Sequence, residues 1–159
     1  MAKKRPASKS KGRPAPKSKA QLAPAPSPIR CASGVCSPER TQGLRAPAPT
    51  GTHKLVSLKG PGVFLAAEVS KQGGTNDLTF VNLEIDGRNV TSLSFAGGIN
   101  QGLTQHNPYG LAVLHSNVLK TFTVGFPAPL LYRTSLELSV TVNEPNVVQI
   151  VANVIHGGA

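Results

Sequence analysis

Ser135-Leu136-Glu137-Leu138-Ser139-Val140-Thr141-Val142-Asn143 decides the fold. Leu136, Leu138, Val140 and Val142 alternate with Glu137, Ser139 and Thr141. A period of two puts the four apolar side chains on one face of an extended strand. The segment therefore reads as a strand with one face buried and one face wet. Asn143-Glu144-Pro145-Asn146 follows as a turn. Val147 to Ile155 is a last strand, apolar on both faces, so its expected place is central in a sheet or covered; Gly157-Gly158 then closes the pattern.

The same period appears on moving toward the N-terminus. Lys120 to Phe126 places Phe122, Val124 and Phe126 on one face and Thr121 and Thr123 on the other, with Pro127 and Pro129 expected to stop it. Leu111 to Leu114 is a short strand. Residues 96–110, rich in Gly and Asn and including Asn107-Pro108-Tyr109-Gly110, read as a long loop. Arg88 to Phe95 and Leu78 to Ile85 are strands joined by Asp86-Gly87, the chemistry of a type I′ hairpin because both central residues tolerate positive φ. Val63 to Ser70 and Leu55 to Leu58 are strands bounded by Gly73-Gly74 and Gly60-Pro61-Gly62. No segment has a convincing helical repeat. Eight short strands roughly ten residues apart predict an all-β fold, an antiparallel β-sandwich or barrel. The 109 residues from 51 to 159 are enough for one core, burying roughly 60–68% of the extended-chain surface.

Charge divides the chain in two. The 159 residues carry 17 Lys+Arg and 7 Asp+Glu, a formal charge of +10. Residues 1–50 hold eleven of the basic side chains and one acid, Glu39; residues 51–159 hold six of each. The whole excess belongs to the first third. That pattern excludes a uniformly basic globule and predicts a neutral domain, 51–159, behind a cationic arm and linker, 1–50. The arm contains nine Pro, nine Ala and no aromatic residue. It buries too little apolar surface to offset backbone ordering at about 1–2 kcal/mol per residue, so the expectation is an extended or disordered segment. No apolar run approaches the ~18 residues of a membrane span, and no apolar h-region follows the first basic residues, so neither a span nor a secretory leader is expected.

The arm repeats itself. Arg5-Pro6-Ala7-Ser8-Lys9-Ser10-Lys11-Gly12 is followed by Arg13-Pro14-Ala15-Pro16-Lys17-Ser18-Lys19-Ala20, three positive charges in each unit, with Lys3 and Lys4 ahead of them. Dense charge on a chain free to follow phosphates is what polyanion binding needs. Lys3, Lys4, Arg5, Lys9, Lys11, Arg13, Lys17, Lys19 and Arg30 are the candidate nucleic-acid contacts, read without sequence preference because no base-reading helix is visible. About eight neutralised phosphates give a log–log salt slope of roughly −6 to −7. Ser27-Pro28-Ile29-Arg30 and Ser37-Pro38-Glu39-Arg40 look like Ser-Pro-x-basic turns that can sit in a minor groove, or are ordinary turns followed by a solvated Arg. A nuclear-localisation-like run, an rRNA-binding extension and a membrane-surface tether are the competing uses of such a stretch.

The Lys/Pro/Ala composition of residues 3–20 resembles the tails of linker-histone-like proteins and the basic arms of viral coat proteins. Strand number, the long Gly/Asn loop and the basic arm together resemble, in layout, a small single jelly-roll structural protein of a virus or phage. The resemblance implies a capsid-type role, with a minor, cementing or vertex position suggested by the small domain. It also implies residence in the virion and partnership with copies of itself or other capsid subunits. The rival expectation is a cellular, chromatin-like nucleic-acid-binding protein of nucleoid or nucleus, oligomerising through its β-domain. A carbohydrate-binding module or enzyme on a sandwich is disfavoured by two Tyr and no Trp.

Chemistry-bearing patterns are sparse. His53, His106, His115 and His156 form no HxH or HExxH pair, and no GxSxG elbow, P-loop or dinucleotide fingerprint occurs, so no enzyme, metal or cofactor is expected. Cys31 and Cys36 flank Ala-Ser-Gly-Val; free thiols, a local disulfide and intermolecular bridging all stay open. Asn107-Pro108-Tyr109-Gly110 offers Tyr109 either as an exposed anchor or as a side chain packed on the rim. Phe126-Pro127-Ala128-Pro129-Leu130-Leu131-Tyr132 is unusually apolar for a connection. Phe126, Leu130, Leu131 and Tyr132 are therefore candidate interface residues, buried against another subunit.

Overall fold

A computed structural model of the chain describes residues 36–105, 110–115 and 119–158. It is all-β. The elements are β1 (Cys36–Arg45), β2 (Gly51–Lys59), β3 (Gly62–Gly73), β4 (Thr79–Ile85), β5 (Arg88–Ser94), a one-and-a-half-turn helix α1 (Phe95–Asn100), β6 (Leu111–His115), β7 (Leu119–Tyr132), β8 (Ser135–Val142) and β9 (Val147–Gly158). Two antiparallel sheets result, one in the order β1-β9-β3-β7-β6 and the other β2-β8-β4-β5.

The pairing nests around the Asp86-Gly87 turn. There φ is +52° and +73°, the double positive value that a type I′ hairpin requires. Outward from it, β4 pairs with β5, β3 with β7, β2 with β8 and β1 with β9, and each pair lies in the opposite sheet from the one before. Outside the scheme stands β6, paired along the edge of β7.

Between the sheets the predicted alternation holds. Leu136, Leu138, Val140 and Val142 of β8 are buried with Val81 and Leu83 of β4, facing Val69, Phe122, Ile150, Ala152 and Val154 of the other sheet. Each Val, Leu, Ile or Phe among them contributes about 1.5–3 kcal/mol on leaving water. β9 is central, between β1 and β3. Within the expected long loop, α1 forms with Ser94 as its N-cap, the hydroxyl accepting from the Gly97 N–H at 2.9 Å. Its Phe95 meets the Phe122 ring edge-on, centroids 5.9 Å apart, and closes one end of the core.

Two expectations about segment boundaries change. Residues 36–45 are not arm but a strand: β1 pairs with β9 from Cys36–Gly158 to Arg45–Ile150. Ser37-Pro38-Glu39-Arg40 is therefore no free turn; it lies in β1 at a register shift between Cys36 and Glu39, with Ser37 at φ +48°. The inward positions of β1 are Thr41 and Gly43, which carry no apolar signature. Gly43 is required because a Cβ there would sit 2.1 Å from the Leu55 carbonyl oxygen of β2. The 46–51 stretch is a crossover between sheets rather than a linker, and Ala48 is buried in the core.

The second change is at Pro127 and Pro129, where β7 does not stop. Gly125 pairs with Ala66 and Leu130 with Phe64, so residues 126–129 bulge opposite the single residue Leu65. Prolines are tolerated there because a bulge releases their positions from the ladder, and β6 does not extend along this half of β7. The apolar segment 126–132 is thus strand rather than connection.

Candidate functional site

Lys3, Lys4, Arg5, Lys9, Lys11, Arg13, Lys17, Lys19, Arg30 and Tyr109 lie outside the described residues, as do Cys31 and His106. In the apolar segment the side chains diverge, and that of Phe126 is not among those described. Leu130 is half-buried and packs on the core. Leu131 points outward, 67% exposed, whereas Tyr132 is only 3% exposed. Tyr132 fills the space beside Gly62, where a Cβ would lie 2.3 Å from its hydroxyl. Burial, with the Glu39 charge second, pushes the Tyr132 phenol up. Of the three described side chains, Leu131 faces solvent, while Tyr132 belongs to the fold.

At one end of the sandwich is a buried charge cluster that no motif announced. Lys71 of β3 continues the inward parity of Ala67 and Val69, and its ammonium donates to Glu144 Oε1 at 2.5 Å and to Asp77 Oδ1 at 2.8 Å. Glu144 also accepts from the backbone N–H groups of Thr75 (2.8 Å), Asn76 (3.1 Å) and Asp77 (3.0 Å) and from the Thr79 hydroxyl (2.6 Å). Lys120 of β7 pairs with the other oxygen of Asp77. The Lys71 ammonium lies 5.3 Å from the Phe95 ring centroid. Burial raises the Glu144 pKa, but Lys71, the Thr79 hydroxyl and the Asn76 N–H outweigh it and hold the carboxyl below its usual range. Asp77 is likewise lowered: burial opposes the shift, and Lys120 and Lys71 overcome it. Among the described residues no buried side-chain nitrogen or oxygen lacks a partner, and the cluster clamps the 74–78 loop to the 143–146 turn.

At the opposite end three turns are cross-bonded. Asp86 accepts from the N–H groups of Arg133, Thr134 and Ser135 and from the Thr134 hydroxyl, at 2.7–3.1 Å. Those backbone donors hold its carboxyl far below the usual range. The Gly60 N–H donates to the Thr134 carbonyl at 2.8 Å. Lys59, Arg88 and Arg133, all exposed, ride on these turns. Cys36 pairs with Gly158 and Gly62 with Tyr132, so the chain preceding β1 joins the fold at this same end.

The first sheet exposes Leu44, Leu114, Leu131, Val148 and Ile155 to solvent, whereas the outer face of the second carries a polar row. Across the second sheet Thr52, Thr141, Asn82 and Ser92 form a hydrogen-bonded row. His156, mostly buried, shares a hydrogen bond with Thr41 at 2.8 Å and approaches Glu39 at 3.6 Å, tying β9 to β1. His53 meets the Pro49 carbonyl at 2.6 Å. Among the described residues no group of His, Cys, Asp or Glu has the grouping of a metal site, and no helix is long and apolar enough to cross a membrane. The chain matches no protein-family model, and no curated protein matches it.

Proposed function

We propose that the protein is a virion structural subunit. Its sandwich makes the contacts with copies of itself or with other capsid subunits, and its basic arm meets the packaged nucleic acid through phosphates. The observation that carries this reading is the nested pairing β4–β5, β3–β7, β2–β8, β1–β9, alternating between two sheets. That pairing supports reading the sandwich as a jelly roll, an architecture used in viral capsid domains. It is joined to residues 1–35, which hold nine of the chain's 17 basic side chains and no acidic one. The strand that follows the arm, β1, is an end strand of its sheet, so the cationic segment is attached at the margin of the body. Many copies sum weak arm contacts into strong binding.

Two measurements test the reading. The native assembly is weighed by light scattering and inspected for co-purifying nucleic acid. A closed particle, or docking onto a preformed one, is the expected outcome; free oligomers coating cellular DNA indicate the chromatin-like alternative. Deletion of residues 2–20 is then compared with the full chain in nucleic-acid titrations over a range of salt. Unchanged affinity and slope after deletion defeat the arm's role.

A further inference from the structure

We propose that Ser37, at the start of β1, is a phosphoryl-acceptor site for a proline-directed protein kinase. The site stands on β1 alone and does not draw on the virion reading.

Ser or Thr precedes Pro at two places in the chain, Ser27-Pro28-Ile29-Arg30 and Ser37-Pro38-Glu39-Arg40. The second lies among the described residues. A kinase cleft holds its substrate extended, so side chains alternate, and Pro38 and Arg40 share one face. Proline directly after the acceptor has no N–H to be stranded against the kinase. Arg40, two residues further along the same face, is placed to pair with an anionic group beside the cleft.

The structure presents this tetrapeptide to solvent. Ser37, Pro38, Glu39 and Arg40 are all exposed. Cys36 pairs with Gly158 and Glu39 with His156, so Ser37 and Pro38 bulge together opposite Gly157. Among the described residues the Ser37 hydroxyl has no hydrogen-bond partner. Arg40 likewise has no ion-pair partner among them.

Entry into a kinase cleft requires the start of β1 to lift from β9. Residues 37–40 put no side chain into the core, and β1 is an end strand of its sheet. The first inward tie is the hydrogen bond that Thr41 shares with His156 at 2.8 Å. Ser37 sits at φ +48°, a conformation that is unfavourable for a non-glycine residue and is relieved on lifting. The end of such a strand opens without unfolding the body.

In the transfer, the Ser37 Oγ forms a bond to the γ-phosphorus of ATP. The bond from that phosphorus to the bridging oxygen breaks, and ADP leaves with the electron pair. The hydroxyl proton passes to the catalytic aspartate of the kinase. The phosphoserine carries about −1.5 to −2 charge at neutral pH. That charge falls where residues 1–35, with nine basic side chains and no acidic one, join the fold.

The test treats the full chain with a purified cyclin-dependent kinase and Mg-ATP, and maps the phosphate by tandem mass spectrometry. Ser27→Ala is the parent, so Ser37 is the one serine left before a proline. Phosphate on Ser37 is expected, and Ser37→Ala abolishes it. Pro38→Ala is expected to slow the transfer about tenfold or more, the effect of one stranded N–H. Arg40→Gln slows it as well. Both variants keep the thermal midpoint of the parent, because the tetrapeptide lies outside the core. No phosphate on Ser37 overturns the proposal. Phosphate on other residues in its place does the same. An equal rate in Pro38→Ala also overturns it, because the transfer is then adventitious and not directed by the proline.

Discussion

The Lys71 ammonium and the Glu144 carboxylate meet at 2.5 Å with neither side chain reaching solvent. They come from β3 and from the turn between β8 and β9, so the pair holds together segments far apart in the chain. Removing one member of such a pair leaves a buried charge short of its partner, which typically costs about 3–5 kcal/mol. Glu144→Ala also strands the N–H groups of Thr75, Asn76 and Asp77. Urea unfolding of Glu144→Ala is expected to show a loss of that size. Lys120→Ala, at the wetter margin of the cluster, is expected to lose no more than about 1 kcal/mol. Equal losses in the two variants contradict the clamp.

Acid should weaken the fold through the same carboxylates. Glu144 and Asp77 are both held below their ordinary values of 4.5 and 3.8, so the folded chain binds fewer protons there than the unfolded chain. Their contribution is complete above those ordinary values and is lost as pH falls through the lowered ones. Asp86 acts with the same sign. The urea midpoint is expected to drop on acidification below about pH 4.5, and less steeply in Glu144→Gln. A midpoint flat from neutrality to about pH 3 refutes this account.

Gly43 has no room for a side chain. Its missing Cβ would lie 2.1 Å from the Leu55 carbonyl oxygen, a backbone atom that yields only if β1 and β2 separate. Gly43→Ala is expected to destabilise by roughly 1–3 kcal/mol, the range for forced overpacking. Hydrogen exchange should localise the loss to β1. Protection in β1 equal to that of the unaltered chain rules the contact out as a constraint.

Legibility of the fold followed how each strand meets the core. β8 was readable because Leu136, Leu138, Val140 and Val142 all face inward, and the β4–β5 hairpin because Asp86-Gly87 has the chemistry of its turn. β1 was not, since its inward positions are Thr41 and Gly43, chosen for closeness to β2 rather than for burial of apolar surface. The length of β7 was hidden by Pro127 and Pro129, whose effect is absorbed in a bulge that depends on β3. The charge clamp left one trace, a lysine at position 71 on the apolar parity of Ala67 and Val69. Its partner Glu144 is supplied by tertiary structure alone. Of the candidate interface residues, strand parity separates Leu131 from Tyr132 once 126–132 is known to be extended; read as a loop, the segment offered no such division.

Leu131 and Tyr132, adjacent in β7, should separate assembly from folding. Leu131 is 67% exposed on a strand edge that β6 leaves open, and Tyr132 is 3% exposed inside the sandwich. A charge at Leu131 meets solvent in the free subunit and, if the proposed subunit contact uses this strand, an apolar surface in the assembled one. Leu131→Asp is therefore expected to leave the thermal midpoint nearly unchanged, as exposed substitutions do within about 0.5 kcal/mol, while shifting the native mass toward free subunits. Tyr132→Ala empties a core position and is expected to cost about 3–5 kcal/mol in unfolding experiments. Light scattering and thermal unfolding of both variants decide the matter. Full assembly by Leu131→Asp at native stability removes this strand from the subunit contact.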